Sequence, residues 1–171
     1  MNDYSYYIIF VDHFTKYSWL LPMTHKYDVY SIFPKFKSMV EKFFNLPITT
    51  IYTDGGKEYQ GLNFFCESHG IQHLISPPYT PQHIASAKRH HRHIVETGLT
   101  LLDRASLPRS LWNFAFATAV YLINRLPTLI LDNKSPFECL FQKVPNYWKL
   151  KVFGCLLYPW LRPYAKHKLE Q

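Results

Sequence analysis

The carboxylate of Asp54 is well placed for chemistry. It follows the β-branched run Ile48 to Thr53 and precedes Gly55-Gly56, so a strand leads directly into a glycine turn. A carboxylate at such a junction is held rigidly and exposed, which suits a metal ligand; the same position also suits an Asp that only shapes the turn. Glu58 stands four residues on. Further along comes a dense basic run, Lys88-Arg89-His90-His91-Arg92-His93. Lys88 and Arg92 are four apart, so on a helix they share a face and can contact phosphates; a solvated basic face is the alternative. His69 and His73 have HxxxH spacing, but Gly70 between them breaks a helix, and His90, His91 and His93 have no cysteine partners in range. No zinc site is expected. Cys66, Cys139 and Cys155 are scattered and odd in number, which points to reduced thiols in an intracellular protein.

These groups sit in a chain of 171 residues, 47% hydrophobic and 18% aromatic. That suits one folded domain plus a tail and argues against disorder. Nineteen Lys and Arg against twelve Asp and Glu give a formal net charge of +7. Such a balance favours a polyanionic partner, nucleic acid before an anionic membrane, although an inert basic surface has the same composition. The apolar run Tyr6 to Val11 is too short for a signal peptide or a membrane span, and no later run is long enough. No membrane partner is expected.

The elements that must position the site follow from spacing. Tyr6 to Asp12 and Tyr17 to Met23 read as two strands of a hairpin, with Pro22 at a strand end or an edge. Asp28 to Asn45 reads as a helix with Phe33, Phe36, Val40 and Phe43 on its buried face; Pro34 fits only if the first regular turn begins near it. Ile48 to Thr53 and Ile71 to Ile75 read as strands around a short helix, Leu62 to His69, stopped at Gly70. Pro77 to Pro81 forces an extended loop. Ile84 to Asp103 is a long helix with Ala87, His91, Ile94, Val95, Leu99 and Leu102 on one face. Ser106 can cap a third helix with Pro108 in its first turn, running to Pro127. Ser135-Pro136 can start a short helix through Gln142. Lys151 to Tyr158 reads as an isolated strand, and Arg162 to Gln171 as a mobile tail. Tyr6, Tyr7, Phe10, Trp19, Phe114 and Phe116 are most simply core. Strands first, a βαβ middle and long helices after it indicate an α/β layered domain.

The ordered series of motifs is more specific than any one of them. Phe10-Val11-Asp12-His13-Phe14-Thr15-Lys16-Tyr17 is followed by Thr53-Asp54-Gly55-Gly56. Ser76-Pro77-Pro78-Tyr79-Thr80-Pro81-Gln82-His83 leads into the basic helix through Glu96 and on to Leu102. The segment Phe114 to Pro127, Ser135-Pro136-Phe137-Glu138 and Val152-Phe153-Gly154-Cys155 complete the set. In this order the chain resembles the catalytic core of copia-type LTR retrotransposon integrases, in the retroviral integrase superfamily, in truncated and degenerate form.

The resemblance implies a ribonuclease-H-like α/β fold that here lacks its first, central strand. It implies a core-like domain over residues 1–130 and a C-terminal extension typical of copia-type integrases over 131–171. It further implies a fragment of a Pol polyprotein of a transposable element, whose family role is DNA integration. In that role three carboxylates hold two Mg²⁺ or Mn²⁺ ions for in-line attack on phosphodiesters. Asp54 matches the second catalytic Asp and is the one family carboxylate retained. The first belongs on a strand upstream of the hairpin, beyond this chain's start; Asp12 matches the hairpin-end Asp instead, and Asp3 stands too close to the hairpin. The third should be a Glu in a pattern like Asn-Gly-x-x-Glu-Arg. Here that segment reads Ile84-Ala85-Ser86-Ala87-Lys88-Arg89, so Lys88 occupies the Glu position. An ammonium repels a cation. Lys57 is also added beside Asp54, and Glu58, a turn residue in the family, is a poor substitute. Loss of strand transfer is therefore expected, with the ions not bound productively. Nucleic-acid binding through Lys88, Arg89 and Arg92 is retained, with non-specific DNA as partner, a possible homo-oligomer, and the nucleus as the family's location. Two other readings stay open: a retained non-catalytic DNA-binding or dimerisation module, and a non-functional pseudogene fragment. Without its central strand, three outcomes are open: the hairpin closes onto the Asp54 strand, the surface recruits a partner chain, or the chain stays loose.

Overall fold

A computed structural model of the chain describes residues 4–75 and 81–156, the side chains of 81–86 excepted. Strands β1 (Tyr6–Val11) and β2 (Ser18–Met23) form an antiparallel hairpin with Tyr6 opposite Met23 and Val11 opposite Ser18. The turn is fixed by Asp12, whose Oδ2 accepts from both the backbone N–H and the hydroxyl of Thr15, each at 2.7 Å. Asp12 N–H donates to the Tyr17 carbonyl, so alternate pairs along the ladder are hydrogen-bonded and Tyr7–Pro22 is not. Pro22 therefore lies within β2 at no cost to the hairpin, its nitrogen facing away from β1.

Alternation along both strands serves two layers. Ile8, Phe10, Trp19, Leu21 and Met23 face one cluster, built on helix α1 (Val29–Phe44). Tyr7, Ile9 and Leu20 face another, built on helices α4 (Pro81–Arg104) and α5 (Trp112–Ile123). Covering both faces explains the unbroken apolar run of β1. On the first side Phe10 stacks on Phe36 at 4.0 Å between centroids, with Trp19 edge-on to the same ring. On the second, Ala115 and Ala119 of α5 are fully buried, and a Cβ at Gly98 of α4 would overlap the Phe116 ring. Small residues thus bring these two helices into close contact.

Strand β3 (Thr50–Thr53) pairs in parallel with β4 (Gln72–Ile75) through the short helices α2 (Lys57–Gln60) and α3 (Leu62–Ser68). The hairpin and the parallel pair are separate two-stranded sheets. The closure of the hairpin onto the Asp54 strand does not occur. The ladder alternation leaves the N–H and C=O groups of Tyr7, Ile9 and Val11 facing away from β2, towards the side that a central strand would fill.

Other expectations need correction. Pro34 lies well inside α1, where it removes the bond that residue 34 would donate to the Tyr30 carbonyl. Phe43 is exposed: α1 outruns the six-residue strands it covers, and its last turn instead meets Phe141 of helix α6 (Pro136–Phe141). Among the described side chains of α4 the buried stripe runs from Ile94, and Ala87 and His91 are exposed. Tyr6 and Phe114 are exposed, the latter because the stripe of α5 runs through Ala115, Phe116, Ala119, Val120 and Ile123. Ser106 has φ +53°, incompatible with an N-cap; Pro108 instead precedes a 3-10 turn at Arg109–Leu111. Residues 151–156 form a turn about Gly154 (φ +79°), not a strand. Residues 157 and 158, the tail and residues 76–80 of the proline-rich loop lie outside the described residues. Ser135 caps α6 as expected, its hydroxyl accepting from Glu138 N–H.

One polar contact secures the outer edge of the hairpin. Asn124, 2% exposed at the end of α5, accepts from Ser18 N–H at 2.9 Å and donates to the Ser18 carbonyl at 2.8 Å. Its amide completes β2 as a neighbouring strand would. Replacing Asn124 with Ala strands two buried backbone groups, and we predict a loss of about 2–4 kcal/mol in urea unfolding. A change under about 0.5 kcal/mol, the size of an ordinary surface substitution, would contradict this reading.

Candidate nucleic-acid interface and remnant metal site

Asp54 immediately follows β3, at the C-terminal end of the parallel pair. Its Oδ1 accepts from Gly56 N–H at 3.2 Å, an Asx turn. Gly55 has φ +70°, and a Cβ there would meet the Ile75 side chain at 2.9 Å, so glycine is required. The turn leads into α2, which the sequence reading missed because only four residues are helical. Burial pushes the Tyr59 hydroxyl up to about 12, helped by the charges of Asp54 and Glu58. Both carboxylates therefore lie within electrostatic reach of one phenol. Among the described residues, no group of three or more His, Cys, Asp or Glu is placed to hold a metal ion. Among the described residues, Asp54 and Glu58 are fewer negative ligands than a pair of divalent ions takes.

The two histidines near this turn are separately engaged. His73 pairs its Nε2 with Thr53 Oγ1 at 2.8 Å and its Nδ1 with Asn63 Oδ1. His69 contacts the Phe65 carbonyl at 2.8 Å and stacks on the Phe65 ring. Asp12 is likewise committed to its turn, which sets it apart from a catalytic role.

Helix α4 packs against β1, β3 and α5, joining the two sheets. Lys88, Arg89 and Arg92 are exposed on it; Arg92 makes only a loose contact with Glu96, 3.9 Å between Nε and Oε1. An exposed pair of that length leaves the guanidinium available to a phosphate. The intervening histidines fasten the helix. His90 Nδ1 meets Ser18 Oγ at 3.2 Å, and His91 Nε2 meets the Tyr7 hydroxyl at 2.7 Å with the rings stacked. Ser18 thus ties α5, through Asn124, to α4, through His90. The sequence signal for these contacts was thin: a histidine pair within a basic run, and an asparagine after an apolar helix.

A hairpin and a parallel strand pair, clasped between α1 on one face and α4 with α5 on the other, define a ribonuclease-H-like α/β layer of the integrase type. Residues 1–81 match the integrase core domain family. It is 56% identical, over 99% of its own length, to the retrovirus-related Pol polyprotein from transposon RE2 of Arabidopsis thaliana. It spans 12% of that curated relative. Among solved structures it is similar to the HTLV-2 integrase catalytic core domain in complex with magnesium, in trimeric form. The TM-score is 0.56 at 20% identity, covering 77% of this chain and 82% of that one. The simian T-cell lymphotropic virus intasome in complex with the PP2A regulatory subunit B56 gamma gives a TM-score of 0.59 at 19% identity, covering 87% and 58%. These structural likenesses carry the fold. The chain is an integrase-core homologue of retrotransposon Pol polyproteins. No helix among the described residues is long and apolar enough to cross a membrane.

His90 supplies a pH test. Burial, then the cations His93, Lys16 and Arg89, lower its pKa from the usual 6.5. A histidine depressed in the folded state contributes stability that is complete above its unfolded pKa and is lost as pH falls below it. His73, lowered by burial, acts in the same direction. The urea midpoint should therefore drop between about pH 7.5 and 5.5, a window above the carboxylates, with a smaller drop in His90→Asn. A midpoint that is level, or that rises on acidification, would count against a half-buried, neutral His90.

Proposed function

We propose that this chain binds duplex DNA non-specifically through α4 and does not carry out strand transfer. The observation that carries the reading is the exposed trio Lys88, Arg89 and Arg92, with Lys88 standing where the family's third carboxylate belongs. Each cation can neutralise a phosphate and release a counterion. The formal charge of +7 supports attraction over distance. Asp54, as the remaining family carboxylate, holds the glycine turn. The family's Mg²⁺ or Mn²⁺ would meet an incomplete donor set here, so no catalytic step is assigned through it.

Residues 1–130 form the core unit in this proposal and 131–171 its extension. The nucleus, where the DNA is, is the proposed location. Self-association into a homo-oligomer is compatible with DNA binding through α4. Retention as a binding module is favoured over a non-functional fragment by the His90 and His91 contacts, which hold the cationic stretch of α4 against the hairpin.

The test uses the purified chain and a labelled duplex. Three phosphate contacts predict a slope of log affinity against log salt of about −2.7, made shallower by about 1.8 in Lys88→Ala/Arg92→Ala. The same preparations, given Mg²⁺ or Mn²⁺, should yield no strand-transfer product. Salt-independent or undetectable binding would remove the DNA-binding assignment. Product that disappears on Asp54→Asn would overturn the inactivity.

A further inference from the structure

The second face of α5 bears an apolar groove that DNA binding through α4 does not use. Its volume is about 750 Å³. Phe114, Tyr121 and Leu122 of α5 form one wall and Val152 the other, while Lys149 and Lys151 stand at the rim. Phe114 is 61% exposed and Val152 79%, and neither belongs to the packed clusters. Trp148, beside the rim, is 94% exposed.

The far wall is built in place. The Tyr147 hydroxyl donates to the Arg125 carbonyl at 2.7 Å, and Asn146 Oδ1 accepts from Trp148 N–H at 3.1 Å, which fixes the turn before Lys149. At the other end Gly154 (φ +79°) sits so close to Ala105 that a Cβ would approach its methyl to 2.7 Å. Phe153 anchors between these points in the α4–α5 cluster. Arg125 lies over the Tyr121 ring at 3.5 Å and adds a third cation. Preformed concave apolar surface, with exposed Trp and Tyr and a half-buried Arg at its margin, has the make-up of a protein-binding hot spot.

We infer that this groove takes an amphipathic helix of a partner protein that carries apolar anchors flanked by carboxylates. Charge selects that occupant. The described lining residues include two lysines and no acid. A second copy docking groove to groove would set Lys149 and Lys151 against their own equivalents. The chain's own residues 157–171 carry Arg162, Lys166 and Lys168 against Glu170, so they do not complement the rim. Among the described lining residues none belongs to a strand, which favours side-chain anchoring from a helix over strand addition.

The experiment is fluorescence anisotropy of the full chain at about 0.15 M salt. Two labelled peptides of about 16 residues serve as probes, with leucines at helical spacing and every other position glutamate in one and lysine in the other. The glutamate probe should bind saturably and the lysine probe should not. Lys149→Glu/Lys151→Glu and, separately, Phe114→Ser should each weaken it by about tenfold or more, with unchanged urea midpoints. Lys35→Glu/Lys42→Glu, exposed on α1, alters net charge equally and should leave the contact-specific loss absent. Equal binding of both probes, no binding, or an equal loss in the α1 control would overturn the proposal. So would a dimer in sedimentation that Phe114→Ser abolishes, which would give the groove to a second copy.

Discussion

Among the described residues, the two sheets share no ladder hydrogen bonds. In an unbroken sheet, strand pairing sets the relative position of all strands. Here helices set it. Helix α1 packs on the hairpin through Phe33 and Phe36, and the same cluster holds Leu62, Cys66 and Ile71 from the parallel unit. Helix α4 meets β1 and β3 from the other face. Apolar packing of this kind is strong but weakly directional. The polar contacts around Ser18, with Asn124 on one side and His90 on the other, add the direction that packing lacks.

That arrangement bears on the site. Asp54 depends on the parallel pair and on its glycine turn for position, whereas Lys88, Arg89 and Arg92 depend on α4. Two-metal chemistry needs carboxylates from separate elements held to fixed spacing. Phosphate binding asks only for cations on one exposed helical face. Lys88, Arg89 and Arg92, exposed on α4, are the residues the proposed second task would use. Asp54 is engaged in an Asx turn, with Glu58 four residues on.

Much of the scaffold was legible because its signals are local. The runs at Tyr6 to Val11 and Ser18 to Met23, the Phe33–Phe36 spacing and the Ser135-Pro136 cap each state their element within a few residues. The resemblance, resting on ordered motifs across the chain, identified the layered α/β fold. What local pattern could not give was depth. Phe43 and Phe114 satisfy helical spacing yet face outward, because burial depends on how far a neighbouring element extends. Pro34 was weighed by its local penalty, while packing of α1 against the sheet outweighs it. Within the candidate site, Asp54 and the basic helix could be found by type and spacing. The engagement of Asp54 by Gly56, and of His90 by Ser18 across 72 residues, depends on tertiary geometry.

In this structure, helix packing joins the two sheets into one cooperative core. The most direct measurement is equilibrium urea unfolding of the purified chain, followed together by near-UV circular dichroism, far-UV circular dichroism and tryptophan fluorescence. Trp19 reports on the α1 face and Trp112 on the α4–α5 face. Coincident, single-step transitions with a near-UV signal in the folded state are the result this structure predicts. Separated transitions, or a broad one without near-UV signal, would mean that the sheets are not held in a single packing arrangement, and would contradict it.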